Sequence, residues 1–300
     1  MVSNKYGYLF KDLNLRQAHP KGKGGPDVIT WPKGQDLGDI DLSFEFSFHT
    51  HTGDWGDGPH YHNFSEVLFF APVDYNHPSE LGAQIEIALG PEGEKHVIDS
   101  PTAIAMPKGF IHCPLNTKKV DKTWAFLAIS LNKDYKDNVV KRSPSSAAPS
   151  GDKYTPMVKK MEMRDLKARP MGGNADYMYA WNGRNMEGFS LNFTWALHAD
   201  TGPWHGGKDP HVHPAAEALV FIGLDPARPD YLGAEVEIAM GKEQEIHVIK
   251  TPTAVIAPAG FVHCPLVTRK VEKPYCFTAI SLNPGHETTW LGKGKFPWEK

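Results

Sequence analysis

The sequence is poor in cysteine, has no long apolar run and carries no excess of basic charge. Its three cysteines, Cys113, Cys264 and Cys276, are too few and odd in number for a disulfide framework, which fits a reducing compartment. No segment approaches the ~18 consecutive apolar residues of a membrane span, and the N-terminus has no apolar signal region. We therefore expect a cytoplasmic protein with free thiols and no membrane partner.

The charge balance also restricts the partners. The 32 basic and 35 acidic residues give a net charge of -3, and they form no basic tract, so neither nucleic acid nor an anionic membrane surface is indicated. A hydrophobic content of 40% over 300 residues is enough to form a core in each of two domains. A small organic molecule is the expected partner.

The chain contains two copies of one sequence unit. A shift of 151 residues places 60–132 on 211–283 without a gap, and 39 of these 73 positions are identical. Upstream, "DLSFEFSF" matches "GFSLNFTW" more loosely at an offset of 147. Because solenoid units are much shorter, this period indicates a repeated domain. We predict domain 1 over residues 1–142, a Ser-, Pro-, Ala- and Gly-containing linker over 143–154, and domain 2 over 155–300.

Within each half, short alternating segments such as "SFEFSF", "EVLFF" and "AQIEIAL" are separated by Gly and Pro. This spacing is typical of an all-β sandwich or barrel. No segment keeps a 3.6-residue apolar period, so we place only short helices, around 157–166 and the termini.

Two histidines and a glutamate share one strand face in "PHYHNFSEVLFF". Side chains two and four residues apart point to the same side of a strand, which aligns His60, His62 and Glu66. Burying such a set costs several kcal/mol unless its members are paired or bound to an ion. A fourth candidate, His112, follows a Pro-x-Gly turn in "PKGFIHCPLN". The set predicts a metal site.

The second half repeats the complete set with the same spacing, as His211, His213, Glu217 and His263. We therefore expect two divalent transition-metal ions per chain. Three imidazoles and a carboxylate leave one or two open positions on an octahedral ion, and they suit Mn, Fe, Ni, Cu or Zn without selecting among them.

These two motifs, H-x-H-x3-E and P-x-G-x2-H, resemble those of the cupin superfamily, and their duplication resembles a bicupin over nearly the whole chain. The resemblance implies an all-β fold of two tandem double-stranded β-helix barrels, with the eight residues above as metal ligands. It also allows a homodimer. The sequence departs from the family pattern at Asp54 and His205, where a glycine is expected, and at Val267, which replaces the asparagine present as Asn116.

Function is not decided by such a fold. Oxalate-type substrates favour a bidentate arginine clamp, yet no arginine occurs between Arg16 and Arg142, and the motif region of the second half has Arg228 and Arg269. Aromatic and aliphatic residues flank the motifs instead. Our leading hypothesis is a dioxygenase-type oxidoreductase that uses Fe or Mn on a moderately sized organic substrate, with catalytic residues unassigned.

Two alternatives remain open at this point. The metal can act as a Lewis acid in an isomerase, decarboxylase or C–C lyase, or the protein can be a non-catalytic binding or storage protein with structural metals. Dioxygen consumption separates the first hypothesis from the lyase, and loss of turnover on chelation excludes the storage protein.

Other residues receive simpler interpretations. We expect structural hydrogen bonds from His96 and His247, and buried thiols directed away from the ligand face at Cys113 and Cys264. Surface positions are expected for His49, His51, His198 and His205, and outward positions for Glu86 and Glu237. Phe64 stands between the first ligands where the second half has Ala215, so we expect more room at the second site.

Overall fold

The structure, a computed structural model, describes most of the chain. The described residues are 4–13, 16–17, 26–29, 37–38, 40–55, 58–141, 152–167, 174–185, 189–204 and 210–292. His205 and most of the predicted linker lie outside them.

Short strands make up nearly all of the regular structure. The strands of the first half are β1 (Phe10–Asp12), β2 (Arg16–Gln17), β3 (Val28–Ile29), β4 (Ser43–His49), β5 (Gly53–Trp55), β6 (His60–Tyr61), β7 (Glu66–Pro72), β8 (Ala83–Leu89), β9 (Glu94–Ile98), β10 (Thr102–Met106), β11 (His112–Val120), β12 (Trp124–Ser130) and β13 (Asn138–Val139). Those of the second half are β14 (Val158–Lys160), β15 (Arg164–Asp165), β16 (Tyr177–Asn182), β17 (Asn192–His198), β18 (Gly202–Pro203), β19 (His211–Val212), β20 (Glu217–Gly223), β21 (Ala234–Met240), β22 (Glu245–Ile249), β23 (Thr253–Ala257), β24 (His263–Val271), β25 (Tyr275–Ser281) and β26 (Thr289–Trp290).

The first compact unit, here called the first barrel, consists of residues 14–36 and 41–162. Its seven-stranded sheet has the order β14-β10-β7-β12-β4-β3-β2, and its second sheet has the order β13-β6-β11-β8-β9, with β5 also paired to β11. Apolar side chains from both sheets, such as Leu68, Phe126 and Ile87, form one core between them. The predicted all-β architecture is confirmed.

The second barrel consists of residues 1–13, 37–40 and 163–300. It repeats the plan, with one sheet ordered β1-β23-β20-β25-β17-β16-β15 and another ordered β22-β21-β24-β19-β26, to which β18 adds. Of the described residues, 4–13 and 155–162 therefore pack outside the half to which the predicted domain boundaries assign them. The predicted boundaries lie where the sequence repeat begins and ends. They remain a prediction of the repeat units.

Each barrel is completed by the chain segment that precedes the repeat unit of the other barrel. In the first barrel, β14 pairs with β10 and Tyr154 packs edge-on against Phe110. In the second, β1 pairs with β23 and Tyr6 packs edge-on against Phe261. We call residues 4–12 and 154–160 the edge arms, because each one extends the edge of a seven-stranded sheet.

The edge arms correct the helix prediction. The segment predicted as a short helix around 157–166 begins at the last residue of the 3-10 turn Thr155–Met157 and continues as β14 and β15. An open sheet edge at β10 supplies hydrogen-bond partners for an extended chain, which outweighs a weak helical preference. The helical elements in the part of the chain that the structure describes are three-residue turns, and none could cross a membrane.

Strand pairing also corrects the upstream alignment of the repeats. Phe44 pairs with Ile129, and Phe193 pairs with Ile280. The two isoleucines are 151 residues apart, so Phe44 matches Phe193, and the upstream offset is 193 − 44 = 149 instead of the predicted 147. An alternating strand pattern repeats every two residues, so a slip of two leaves it almost unchanged.

Candidate metal centres

The first candidate centre gathers residues from three strands. His60 in β6 pairs directly with His112 in β11, and residues opposite each other on antiparallel strands lie side by side. His62 follows β6, and Glu66 begins β7. All four side chains are buried, and the ring centroid of His60 lies 4.4 Å from that of His112 and 5.0 Å from that of His62.

Backbone carbonyls fix the orientation of these rings. Each Nδ1 donates to a carbonyl oxygen: His60 to Gly58 at 2.7 Å, His62 to Lys136 at 3.1 Å, and His112 to Phe110 at 3.1 Å. Each Nε2 is then left as the lone-pair nitrogen. The Nε2 atoms of His62 and His112 both lie 3.5 Å from Oε2 of Glu66. Such carbonyl partners are the ones that orient histidine ligands in metal sites.

The second candidate centre has the same construction. His211 in β19 pairs with His263 in β24, with ring centroids 4.5 Å apart. The Nδ1 atom of His263 donates to Phe261 O at 3.0 Å, and that of His213 to Glu287 O at 2.7 Å. Both of their Nε2 atoms lie 3.5 Å from Oε2 of Glu217.

Unsatisfied atoms of the second centre fit a bound cation. Nε2 of His213, Nε2 of His263 and Oε1 of Glu217 are buried and have no hydrogen-bond partner among the described residues. Leaving such groups unpaired in a protein interior is costly. A divalent ion would accept all of their lone pairs at once. Each half therefore has a buried His/Glu group that could hold a metal ion.

The ionisation of both glutamates and the neutrality of His60 suit metal binding, whereas the pKa of His62 is raised, because its contacts with Glu66 outweigh its burial. Burial acts to raise the pKa of Glu66, but its contacts with His112 and His62 hold it well below its usual range. The pKa of Glu217 is likewise lowered, to about 2, because His263 and His213 outweigh burial. Burial lowers the pKa of His60 to about 4. An ionised carboxylate and neutral imidazole are the forms that bind metals.

The eight predicted ligands are thus brought together in two groups, and their role as ligands remains a prediction. The expectation that Cys113 and Cys264 point away from the ligand face is wrong. Both thiols are buried, but Sγ of Cys113 lies within 4.8 Å of ring nitrogens of His60 and His112, as does Sγ of Cys264 in the second group. The ladder shifts register between His112 and Leu115, so simple alternation does not hold there.

The surface interpretation fails for His49 and His198, which are buried. His49 stacks on Trp124 at 4.3 Å between centroids. His198 stacks on Trp204 at 4.4 Å and on Tyr275 at 5.1 Å. Both lie at the ends of strands that turn their last side chain inward. His51 is partly exposed and pairs with Asp27, as expected for a surface position.

The structure confirms the hydrogen bond expected of His96 and the outward positions expected of Glu86 and Glu237, whereas Nε2 of His247 approaches Glu245 without the geometry of a hydrogen bond. Nε2 of His96 lies 2.8 Å from Oε1 of Glu94, and Nε2 of His247 lies at the same distance from Glu245. Glu86 pairs with Lys95 at 2.9 Å, and Glu237 pairs with Arg269 at 2.7 Å. These are structural and surface contacts.

Sequence reasoning missed the segment that covers each centre. In the first barrel, Tyr135 Oη lies 3.4 Å from His62 Nε2, and Phe64 stacks on the His62 ring at 4.9 Å. In the second, the ring of His286 lies 4.8 Å from that of His213, and Ala215 stands at the position of Phe64. Extending the 151-residue shift beyond residue 132 would have aligned Tyr135 with His286.

Comparison with known proteins agrees with this architecture. No protein-family model and no curated protein matches the sequence. Among solved structures, the oxalate decarboxylase of Lactobacillus farciminis in a formate complex is similar, with a TM-score of 0.60, 13% identity, and coverage of 93% of this chain and 86% of that one. A mutant of Bacillus subtilis oxalate decarboxylase has a TM-score of 0.59 and 12% identity, with coverage of 93% and 78%.

A third structure, also of the Bacillus subtilis enzyme, is from work on its Mn(II) centres; it has a TM-score of 0.58 and 11% identity, with coverage of 93% and 78%. At these identities the likeness concerns the fold. The chain has the bicupin fold, with two tandem cupin barrels that each contain a His/Glu group. All three similar structures are of oxalate decarboxylases, and none is of a dioxygenase.

Proposed function

We propose that this protein is a metal-dependent lyase that removes carbon dioxide from a small carboxylic acid. The observation that carries the proposal is the pair of buried three-histidine, one-glutamate groups, set in a fold whose similar solved structures are oxalate decarboxylases. The proposed ligands are His60, His62, Glu66 and His112 in the first barrel and His211, His213, Glu217 and His263 in the second. Manganese is the first metal to test, because the Bacillus subtilis enzyme has Mn(II) centres.

The substrate class is a carboxylate on an organic body, and oxalate itself need not be the substrate. No arginine occurs between Arg16 and Arg142, so a bidentate clamp for a dianion is missing from that stretch. In the second barrel, Arg269 pairs with Glu237, and Arg228 lies over the ring of Tyr231. Apolar rings lie beside both centres: Phe64 is buried against His62 in the first barrel, and the ring of Trp290 lies 4.8 Å from that of His211 in the second. A pocket of this composition suits an acid that carries an apolar group.

A bound divalent ion would polarise the carboxylate and stabilise the charge that develops as the C–C bond breaks. The protein's own groups would handle the proton. Loss of carbon dioxide leaves an electron pair on carbon that must take up a proton. Nδ1 of His286 lies 3.9 Å from Oε1 of Glu217 and its side chain is half exposed, so it can give a proton to the substrate and regain one from water. Tyr135 occupies the corresponding place in the first barrel.

Metal analysis joined to a product assay tests the proposal. Purified protein should contain two ions per chain, and His60→Ala and His211→Ala should each reduce this to one. Carbon dioxide should be released from a panel of small carboxylic acids, oxalate included, and chelation should stop the release while the fold persists. Protein without metal would refute the proposal, and stoichiometric dioxygen consumption would restore the dioxygenase hypothesis.

A further inference from the structure

We propose that the second centre is built to receive an anionic ligand and that the first centre is built to exclude one, so that the carboxylate substrate binds in the second barrel. The inference rests on the proposed function, because both centres must hold a metal ion. It comes from three positions at which the two barrels place different side chains around otherwise matching ligands.

The first position lies beside the second histidine of each centre. Oδ1 of Asp137 is 3.5 Å from Nδ1 of His62 and 3.9 Å from Nε2 of His60. In the second barrel, the matching residue is Thr288, whose Oγ1 is 3.5 Å from Nδ1 of His213. A carboxylate in the first centre is thus replaced by a neutral hydroxyl at the same distance from the same ring atom.

The second position is on the inner face of the seven-stranded sheet. In the strand ladder, Ser130 is paired with Glu66 on one side and with Ser43 on the other. Glu45 comes two residues after Ser43 in β4, so its side chain points to the same face of the sheet. Glu45 is only partly exposed. Oγ of Ser130 donates to Oε1 of Glu66 at 2.9 Å, so this face of the sheet lines the first centre. The ring of Tyr135, which covers the centre, lies 4.9 Å from that of His62.

In the second barrel, the position of Glu45 is occupied by a neutral residue. In the strand ladder, Ser281 is paired with Glu217 on one side and with Asn192 on the other. Two residues after Asn192 comes Thr194, which therefore matches Glu45. The side chain that covers the centre also changes, from Tyr135 to His286, which is 49% exposed. An imidazole N–H at this place can donate a hydrogen bond to a bound anion.

These differences set the local charge. Glu66, Asp137 and Glu45 together exceed the charge of a divalent ion, so the loaded first centre is negative. Glu217 alone leaves the loaded second centre with one positive charge. Coulomb energies are large where water is scarce, whereas charges in solvent are screened.

Because solvent screens them, the exposed charged side chains of the segments that carry Tyr135 and His286 have little effect on the charge at the metal. They include Lys133, Asp134 and Lys136 in the first barrel and Glu287, paired with Arg184, in the second. The charge that a ligand meets at the metal therefore comes mainly from the buried and half-buried groups. The first centre should repel an anion, and the second should attract it.

Anion binding to single-centre proteins tests the inference without a turnover assay. A first-centre protein carries His211→Ala and His213→Ala, and a second-centre protein carries His60→Ala and His62→Ala. Each is loaded with Co(II), its cobalt content is measured, and azide is titrated while the d–d absorption is followed. We expect azide to bind the second-centre protein at least about tenfold more tightly.

Charge exchange then identifies the residues. In the first-centre protein, Asp137→Thr with Glu45→Thr should raise the azide affinity about tenfold, and in the second-centre protein, Thr288→Asp with Thr194→Glu should lower it by a similar factor. Asp137→Asn with Glu45→Gln is the matched control, since it removes the charge and keeps the shape. It should reproduce the gain even where the threonine variant folds poorly.

Two results would overturn the inference, and they differ from failure of the proposed function. Equal azide affinities, or tighter binding by the first centre, would refute the asymmetry. Unchanged affinity in every exchange variant would refute the assignment to Asp137 and Glu45. If neither protein binds cobalt, the proposed function fails as well, and the cobalt content shows this before any azide is added.

Discussion

At the scale of single residues, His198 makes the stability of the second barrel depend on pH. It is fully buried between the rings of Trp204 and Tyr275, and burial lowers its pKa from 6.5 to about 3. Between these values the unfolded chain binds a proton that the folded barrel does not, so stability decreases as the pH falls. We expect this histidine to cost about 3 kcal/mol between pH 7.5 and pH 4.5.

His198→Phe removes the titrating group while keeping an aromatic ring of similar size. Urea unfolding at the two pH values should show a smaller loss of stability on acidification than in the parent protein. The exposed Val248 of the second barrel offers a control, because Val248→Ala removes no titrating group and should leave the pH dependence unchanged. An identical acid slope in the His198→Phe protein would contradict the expected role.

Phe64 is the residue that limits space at the first centre. Its ring is stacked on His62 and touches Tyr135, and Ala215 replaces it in the second barrel. In cobalt-loaded single-centre proteins, Phe64→Ala should improve binding of 4-phenylimidazole relative to imidazole by about tenfold, a typical effect of removing a large apolar side chain. Ala215→Phe should have the reverse effect at the second centre, and unchanged ratios in both proteins would rule out the steric explanation.

At the scale of elements, each edge arm depends on a glycine beneath a tyrosine ring. Gly241 has φ +72°, and a Cβ there would collide with the ring of Tyr6; Gly90 has φ +73° and would collide with Tyr154. Gly260 has the same backbone conformation, φ +73°, but nothing lies within 4 Å of its added Cβ. An alanine at Gly260 therefore introduces backbone strain alone, whereas an alanine at Gly241 adds a collision with the ring of the edge arm.

We expect Gly260→Ala to destabilise the second barrel by about 1 kcal/mol, from the left-handed conformation alone. Gly241→Ala should cost about 3 kcal/mol, because it also displaces the buried Tyr6 ring. Hydrogen exchange of the β1 amides should accelerate in Gly241→Ala and stay unchanged in Gly260→Ala. Equal effects of the two substitutions would mean that Tyr6 contributes little to holding the arm.

At the scale of the whole molecule, metal binding should contribute to stability. The ligand groups are assembled from three separate strands in each barrel, so the unfolded chain cannot reproduce them. A ligand present at a hundred times its Kd stabilises a folded protein by about 3 kcal/mol per site. Chelation should therefore lower the thermal midpoint, and added Mn(II) should restore it.

The single-site variants again provide the internal control. His60→Ala and His211→Ala should each lose part of the metal-dependent stabilisation, and the double variant should lose all of it. A thermal midpoint that is insensitive to chelator in the parent protein would contradict a metal contribution to folding.

The sequence by itself determined the duplication, the all-β class and the members of the two His/Glu groups. Ligand spacing of two and four residues and the 151-residue shift are local or linear features, so they are readable without coordinates. Only the tertiary structure showed three other features: His60 pairs with His112, the side chain of His198 is buried, and Asp137 lies beside His62. These positions depend on which strands become neighbours and on register shifts such as the one at Cys113, and alternation along a single strand carries no information about either.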